Sequence, residues 1–142
     1  MRRLAYPHSE WLSTRWNDND RFGHVNNAIY YEYIDSSVNT HLAANDADDT
    51  MRFVAQSSCR YLRPFKYPSW VECGLSVTKL GRSSVTYGIG IFAHPSLNVE
   101  ERGLEERLCA DATFVHVYVG ADGRPQPIPT HVRRILETLC IE

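Results

Sequence analysis

The sequence predicts an α+β domain in which one long helix packs against a five-stranded antiparallel sheet. Two observations carry that prediction. Only one long stretch, Asn27 to Ala43, repeats its apolar side chains at helical spacing. One strand-like run precedes it and four follow, each alternating apolar and polar positions. Strands grouped around a single helix place that helix on one face of an antiparallel sheet.

The first run, Ser9 to Trp16, alternates apolar and polar residues and reads as a strand. The polar stretch Asn17-Asp18-Asn19-Asp20-Arg21, closed by Phe22-Gly23-His24, has the Asn, Asp and Gly density of a turn. In the helical stretch, Ile29/Tyr30, Tyr33/Ile34, Val38 and Leu42 form the apolar stripe, opposite Glu32, Asp35, Ser36 and Asn39. At ~1.5 Å per residue the helix is ~25 Å long. Asn26 or Asn27 is suited to cap it, and Asn45-Asp46-Ala47-Asp48-Asp49 ends it. Arg52–Leu62, Trp70–Leu80, Ser83–Ala93 and Glu106–Val119 read as strands rich in β-branched and aromatic residues. Leu80-Gly81-Arg82 reads as a tight hairpin connection, and His94 to Gly103 as a longer one. Ala121-Asp122-Gly123-Arg124 is a turn. A short helix starts near Thr130, with Val132, Ile135, Leu136 and Leu139 on one face.

With 142 residues and 43% hydrophobic side chains, the chain fits a single domain with its own core. A domain of this size buries roughly 70% of its unfolded surface and needs no disulfide or metal staple. The formal charge of −2 argues against nucleic acid as a partner, although basic residues can still cluster locally. Cys59, Cys73, Cys109 and Cys140 show no C-x-x-C spacing, which favours a reducing compartment. The N-terminal MRRLAYPHSEW lacks the apolar core of a secretory signal, and no run has the length of a membrane span. The expectation is a soluble, cytoplasmic protein that uses no membrane.

The chemistry concentrates between the first strand and the helix. Asp20 lies seven residues before the helix start. An ionised carboxylate there can attack a carbonyl or deprotonate a water. The helix N-terminus offers unpaired N–H groups and a positive dipole end to polarise a carbonyl and hold an oxyanion. Spacing alone equally allows Asp18 and Asp20 to be turn formers and caps. His24 could orient Asp20, bond the reacting group, or only shape the loop. Gly23 suits a positive φ. His8, His41, His94, His116 and His131 show no metal-ligand spacing, and Ser83 and Ser84 lack a G-x-S-x-G context.

The segment Asp18-x-Asp20-x-x-Gly23-His24-Val25-Asn26-Asn27-x-x-Tyr30 resembles the signature of the 4-hydroxybenzoyl-CoA thioesterase branch of the hotdog superfamily. Tyr61-Leu62-Arg63-Pro64, Lys79-Leu80-Gly81-Arg82-Ser83-Ser84 and Pro127-Ile128-Pro129 resemble later family segments, in the expected order. The resemblance implies a hotdog fold, a long central helix wrapped by a five-stranded antiparallel sheet. It implies an acyl-CoA thioesterase with Asp20 as the catalytic carboxylate and an amide near Asn27 polarising the carbonyl. His24 is a further candidate, and Tyr30 and Phe22 are candidates to line the acyl pocket.

Coenzyme A carries phosphates that require Lys or Arg and backbone N–H donors. Lys79, Gly81, Arg82 and Ser83 match the family region for the nucleotide. Arg60, Arg63 and Lys66 form a second basic group, from which Arg63 is a further candidate. Arg133 and Arg134 form a third, and each group also reads as a solvated face. The resemblance further implies a homodimer or homotetramer with active sites at the subunit interface. No metal or bound cofactor is required beyond the CoA of the substrate. Two alternatives remain open: a thioesterase acting on acyl-carrier protein, and a non-catalytic acyl-CoA binding protein.

Overall fold

The computed structural model describes residues 6–95 and 108–141. Strand β1 (His8–Ser13) is followed by a 3-10 turn at Trp16–Asp18 and helix α1 (Asn27–Ala44). Strands β2 (Arg52–Tyr61), β3 (Trp70–Leu80), β4 (Ser84–His94) and β5 (Leu108–Tyr118) come next, and α2 (Thr130–Glu137) ends the series. The five strands form one antiparallel sheet in the order β1-β3-β4-β5-β2. The expected α+β hotdog architecture is thus present. No helix among the described residues is long and apolar enough to cross a membrane.

Helix α1 buries Tyr30, Tyr33, Ile34, Ser37, Val38, His41 and Leu42, one stripe at helical spacing. Five of these belong to the predicted apolar stripe. Ser37 and His41 do not, because an apolar pattern cannot announce a buried polar residue. The helix lies over β1 and β3. The His41 ring is 4.6 Å from that of His8, and the Cys73 thiol reaches the Tyr33 carbonyl at 3.9 Å. Val71, Cys73, Leu75 and Val77 of β3 and Tyr87, Ile89 and Ile91 of β4 face it across the core.

Most predicted strand ends move by one residue, and the first strand's end moves further. The first strand stops at Ser13 rather than Trp16, because Thr14 bonds the Ser69 carbonyl with both its N–H (3.1 Å) and its hydroxyl (2.8 Å). That clamp turns the chain away from the sheet. His94 continues β4 opposite Trp70, so the predicted loop begins one residue later. Most of that loop, and the predicted start of the last strand at Glu106, lie outside the described residues. Asn26, not Asn27, caps α1, accepting the Ala28 N–H at 2.9 Å.

The loop between β1 and α1 is held by Asp18, which has no exposed surface. Its carboxylate accepts the Tyr33 hydroxyl at 2.6 Å, the Arg15 N–H at 2.9 Å and the Arg15 guanidinium at 2.8–2.9 Å. Burial pushes this carboxyl up. The Tyr33 hydroxyl, the Arg15 amide and the Arg15 charge outweigh burial and hold it below its ordinary value. A depressed native pKa stabilises the fold above the unfolded value of about 3.9 and loses that contribution as pH falls through the native value. Asp18→Asn should therefore cost about 1–3 kcal/mol at neutral pH. Denaturant unfolding between roughly pH 5 and pH 3 should show a shallower acid decline in the variant than in the wild type. Equal acid slopes would remove Asp18 from this role.

Candidate active site

The chain from Asp18 to Asn26 folds into a small closed loop. Asn19 and Val25 form an antiparallel bridge, and the Asp20 N–H bonds the His24 carbonyl at 2.9 Å. A turn from Asp20 to Gly23 closes it, with the Gly23 N–H on the Asp20 carbonyl at 3.0 Å. Gly23 has φ +88, the left-handed conformation in which glycine carries no steric cost. Two further bonds tie the loop to its surroundings, and a third joins its two ends. Val25 N–H donates to the Phe65 carbonyl at 2.8 Å, Tyr67 N–H to Asn19 Oδ1 at 3.0 Å, and Asn26 N–H to the Asp18 carbonyl at 2.9 Å.

This loop projects the Asp20 side chain into a pocket of about 260 Å³. Asp20 is half-buried, and its Oδ1 accepts the Phe22 N–H at 2.9 Å. Among the described residues Oδ2 has no hydrogen-bond partner, which leaves one carboxylate oxygen for a ligand. Asn27, the first residue of α1, lines the same pocket. In the first helical turn the Ala28 N–H is capped by Asn26 Oδ1, and the Ile29 N–H bonds the Asn26 carbonyl. The Asn27 N–H has no acceptor among the described residues. It is an unpaired donor at the positive end of the helix dipole.

The rest of the lining is mostly apolar or aromatic: Phe22, Val25, Tyr30, Tyr61, Leu62 and Pro64. Both aromatic residues proposed for an acyl pocket are there. Tyr61 contributes a contact the sequence did not reveal. Its hydroxyl donates to the Asn27 carbonyl at 3.1 Å and ties the end of β2 to the start of α1. Burial pushes that hydroxyl up to about 12, so it remains a neutral donor near pH 7. The signal was the Tyr61-Leu62-Arg63-Pro64 segment, which the resemblance marked only as a strand end.

The structure thus brings Asp20, His24, Asn27 and Arg63 to one pocket. It does not bring Lys79, Gly81, Arg82 and Ser83 there within one chain. Tyr61 pairs with Ala110, which pairs with Ile91, whereas Ser83 sits beside Tyr118 at the other end of the sheet. From Ser83 to Ile91 along β4 is on the order of 25 Å. The Gly81 N–H is bonded to the Ser84 carbonyl at 2.8 Å and so has no amide to offer a phosphate. Arg60 is paired with Asp111 at 2.6 Å, and Arg133 holds the Gly81 carbonyl at 2.6 Å. No group of three or more metal-ligating side chains occurs among the described residues.

Comparison with known proteins agrees with this geometry. Residues 22–99 match the model of the thioesterase superfamily. The PA5185 protein of Pseudomonas aeruginosa is 39% identical, over 97% of this chain and 94% of that one, with a TM-score of 0.85. A thioesterase from Thermus thermophilus, solved with coenzyme A and zinc, is 25% identical over 95% of each chain, with a TM-score of 0.75. The PA2801 protein of P. aeruginosa, a putative thioesterase, is 25% identical over 91% of this chain and 97% of that one, with a TM-score of 0.79. No curated protein sequence matches the chain. The chain belongs to the thioesterase superfamily and is a thioester hydrolase of the hotdog fold.

Proposed function

We propose that the protein hydrolyses acyl-CoA thioesters to a carboxylic acid and free coenzyme A in the pocket between Asp20 and the start of α1. One observation carries the reading: Asp20, with a carboxylate oxygen that has no partner among the described residues, and Asn27, with an unpaired helix N-terminal amide, line the same pocket. A thioester carbonyl needs a nucleophile on carbon and a donor on oxygen. Asp20 supplies the first, by direct attack or by taking a proton from an attacking water. The Asn27 N–H supplies the second and stabilises the charge that develops on oxygen. When the carbon–sulfur bond breaks, the thiolate leaves and takes up the proton, so no strong general acid is needed. His24 stands at the pocket mouth as an exposed side chain able to bond the acyl group or orient Asp20. No metal or bound cofactor takes part in this scheme. The four cysteines are free thiols, which suits a cytoplasmic setting.

The proposed assembly is a homodimer or a larger homo-oligomer. Strand β2 is an edge strand with an exposed face, and Phe53 is 52% and Val54 48% exposed. An unpaired apolar edge is a template for pairing with another strand. Antiparallel pairing of β2 with itself in a second copy sets the Arg52 end of one chain beside the Tyr61 end of the other. The partner's hairpin of Lys79, Gly81, Arg82 and Ser83 then approaches the pocket it cannot reach in its own chain.

Two outcomes are expected. Asp20→Asn should lower thiol release from acyl-CoA by about 10²- to 10⁴-fold, followed with a chromogenic thiol reagent. Turnover in H₂18O should then label Asp20 if it attacks carbon, and only the product acid if it activates water. Activity retained in full by the variant would exclude Asp20. Phe53→Glu should shift the light-scattering mass toward a single chain and lower activity with it. A wild type that is fully active at single-chain mass would refute the assembly.

A further inference from the structure

We propose that the groove next to the Asp20 pocket binds the diphosphate of coenzyme A, with Arg63 and Lys66 supplying the charge. The inference rests on the acyl-CoA reading and names where the phosphorylated end of that substrate lies. The groove has a volume of about 400 Å³ and shares His24, Arg63 and Pro64 with the pocket that holds Asp20. A ligand whose thioester lies at Asp20 therefore has a continuous path past Arg63 into it. Lys66, Ser69 and His94 line the far part.

The groove carries two exposed cations. Among the described residues, neither the Arg63 nor the Lys66 side chain has a carboxylate or a hydrogen-bond partner. Four other arginines are engaged: Arg15 with Asp18 and Glu32, Arg60 with Asp111, Arg52 with Asn39, and Arg133 with the Gly81 carbonyl. Two uncompensated cations on one groove, in a chain of net charge −2, concentrate positive potential where an anion lowers the energy most. A guanidinium offers paired donors that match phosphate oxygens, and an ammonium adds a mobile point charge.

His94 and Glu72 lie behind the groove wall. His94 is fully buried, and its Nε2 lies 3.1 Å from Glu72 Oε1. Its Nδ1 is buried with no hydrogen-bond partner. Buried ring nitrogens are ordinarily satisfied. The Glu72 carboxylate also accepts the Ser9 hydroxyl at 2.8 Å and is itself buried, so it does not present a negative face to the groove.

Calorimetric titration with free coenzyme A, and with pantetheine, which lacks the phosphates, tests the assignment. Arg63 and Lys66 are exposed, so an Arg63→Ala, Lys66→Ala double variant keeps the fold. Coenzyme A should bind it at least about tenfold more weakly than the wild type, while pantetheine binding changes little. Unchanged affinity for coenzyme A, or an equal loss for both ligands, would overturn the diphosphate groove. Thiol release by the wild type separates the two readings. Hydrolysis with coenzyme A affinity intact in the double variant sinks the groove alone. Absence of hydrolysis with the tenfold loss present sinks the hydrolase reading and leaves the groove.

Discussion

The buried carboxylate of Asp18 organises the end of the molecule where the pocket lies. It joins three parts of the chain that have no other reason to meet: Arg15 beyond β1, the loop toward Asp20, and Tyr33 in the second turn of α1. A charge without solvent is costly unless its oxygens are fully bonded, and here several donors converge on them. Such a site has one low-energy arrangement. Asp20, two residues further on, takes its position from that arrangement together with its own bonds to His24, Gly23 and Phe22.

The start of α1 is held just as tightly from the other side. Asn26 caps the helix and leaves the Asn27 amide as the free donor, while Tyr61 bonds the Asn27 carbonyl from the end of β2. The Phe65 carbonyl and the Tyr67 amide tie the segment between β2 and β3 to the same loop. Carboxylate and amide are therefore held by a cross-bonded loop and a capped helix start, the preorganisation that the proposed hydrolysis calls for.

Much of this was legible along the chain. Period-two and helical repeats located every element within a few residues, since burial on one face imposes its period directly on the sequence. The Gly23 conformation and the cap at Asn26 were readable because few residue types serve those local geometries. Two buried polar residues of α1, Ser37 and His41, were not readable, because their burial depends on what packs against them. The contribution of Tyr61 was hidden for a related reason. Its partner, the Asn27 carbonyl, is distant in sequence and is a backbone atom without a residue-type signal.

The contrast is sharpest among the charges. By itself the sequence determined the α+β class, the long helix, the loop with its two aspartates and the resemblance that gave Asp20 a role. All of these are local patterns of residue type and spacing. Only the tertiary structure decided that Asp18 is the buried anchor and Asp20 the accessible carboxylate, although the two are near-identical in sequence context. It also decided which cations are paired and which are free, and it set the hairpin of Lys79 to Ser83 at the far end of the sheet from the pocket. Accessibility and charge pairing depend on distance through space, and strand order, which composition does not encode, sets those distances.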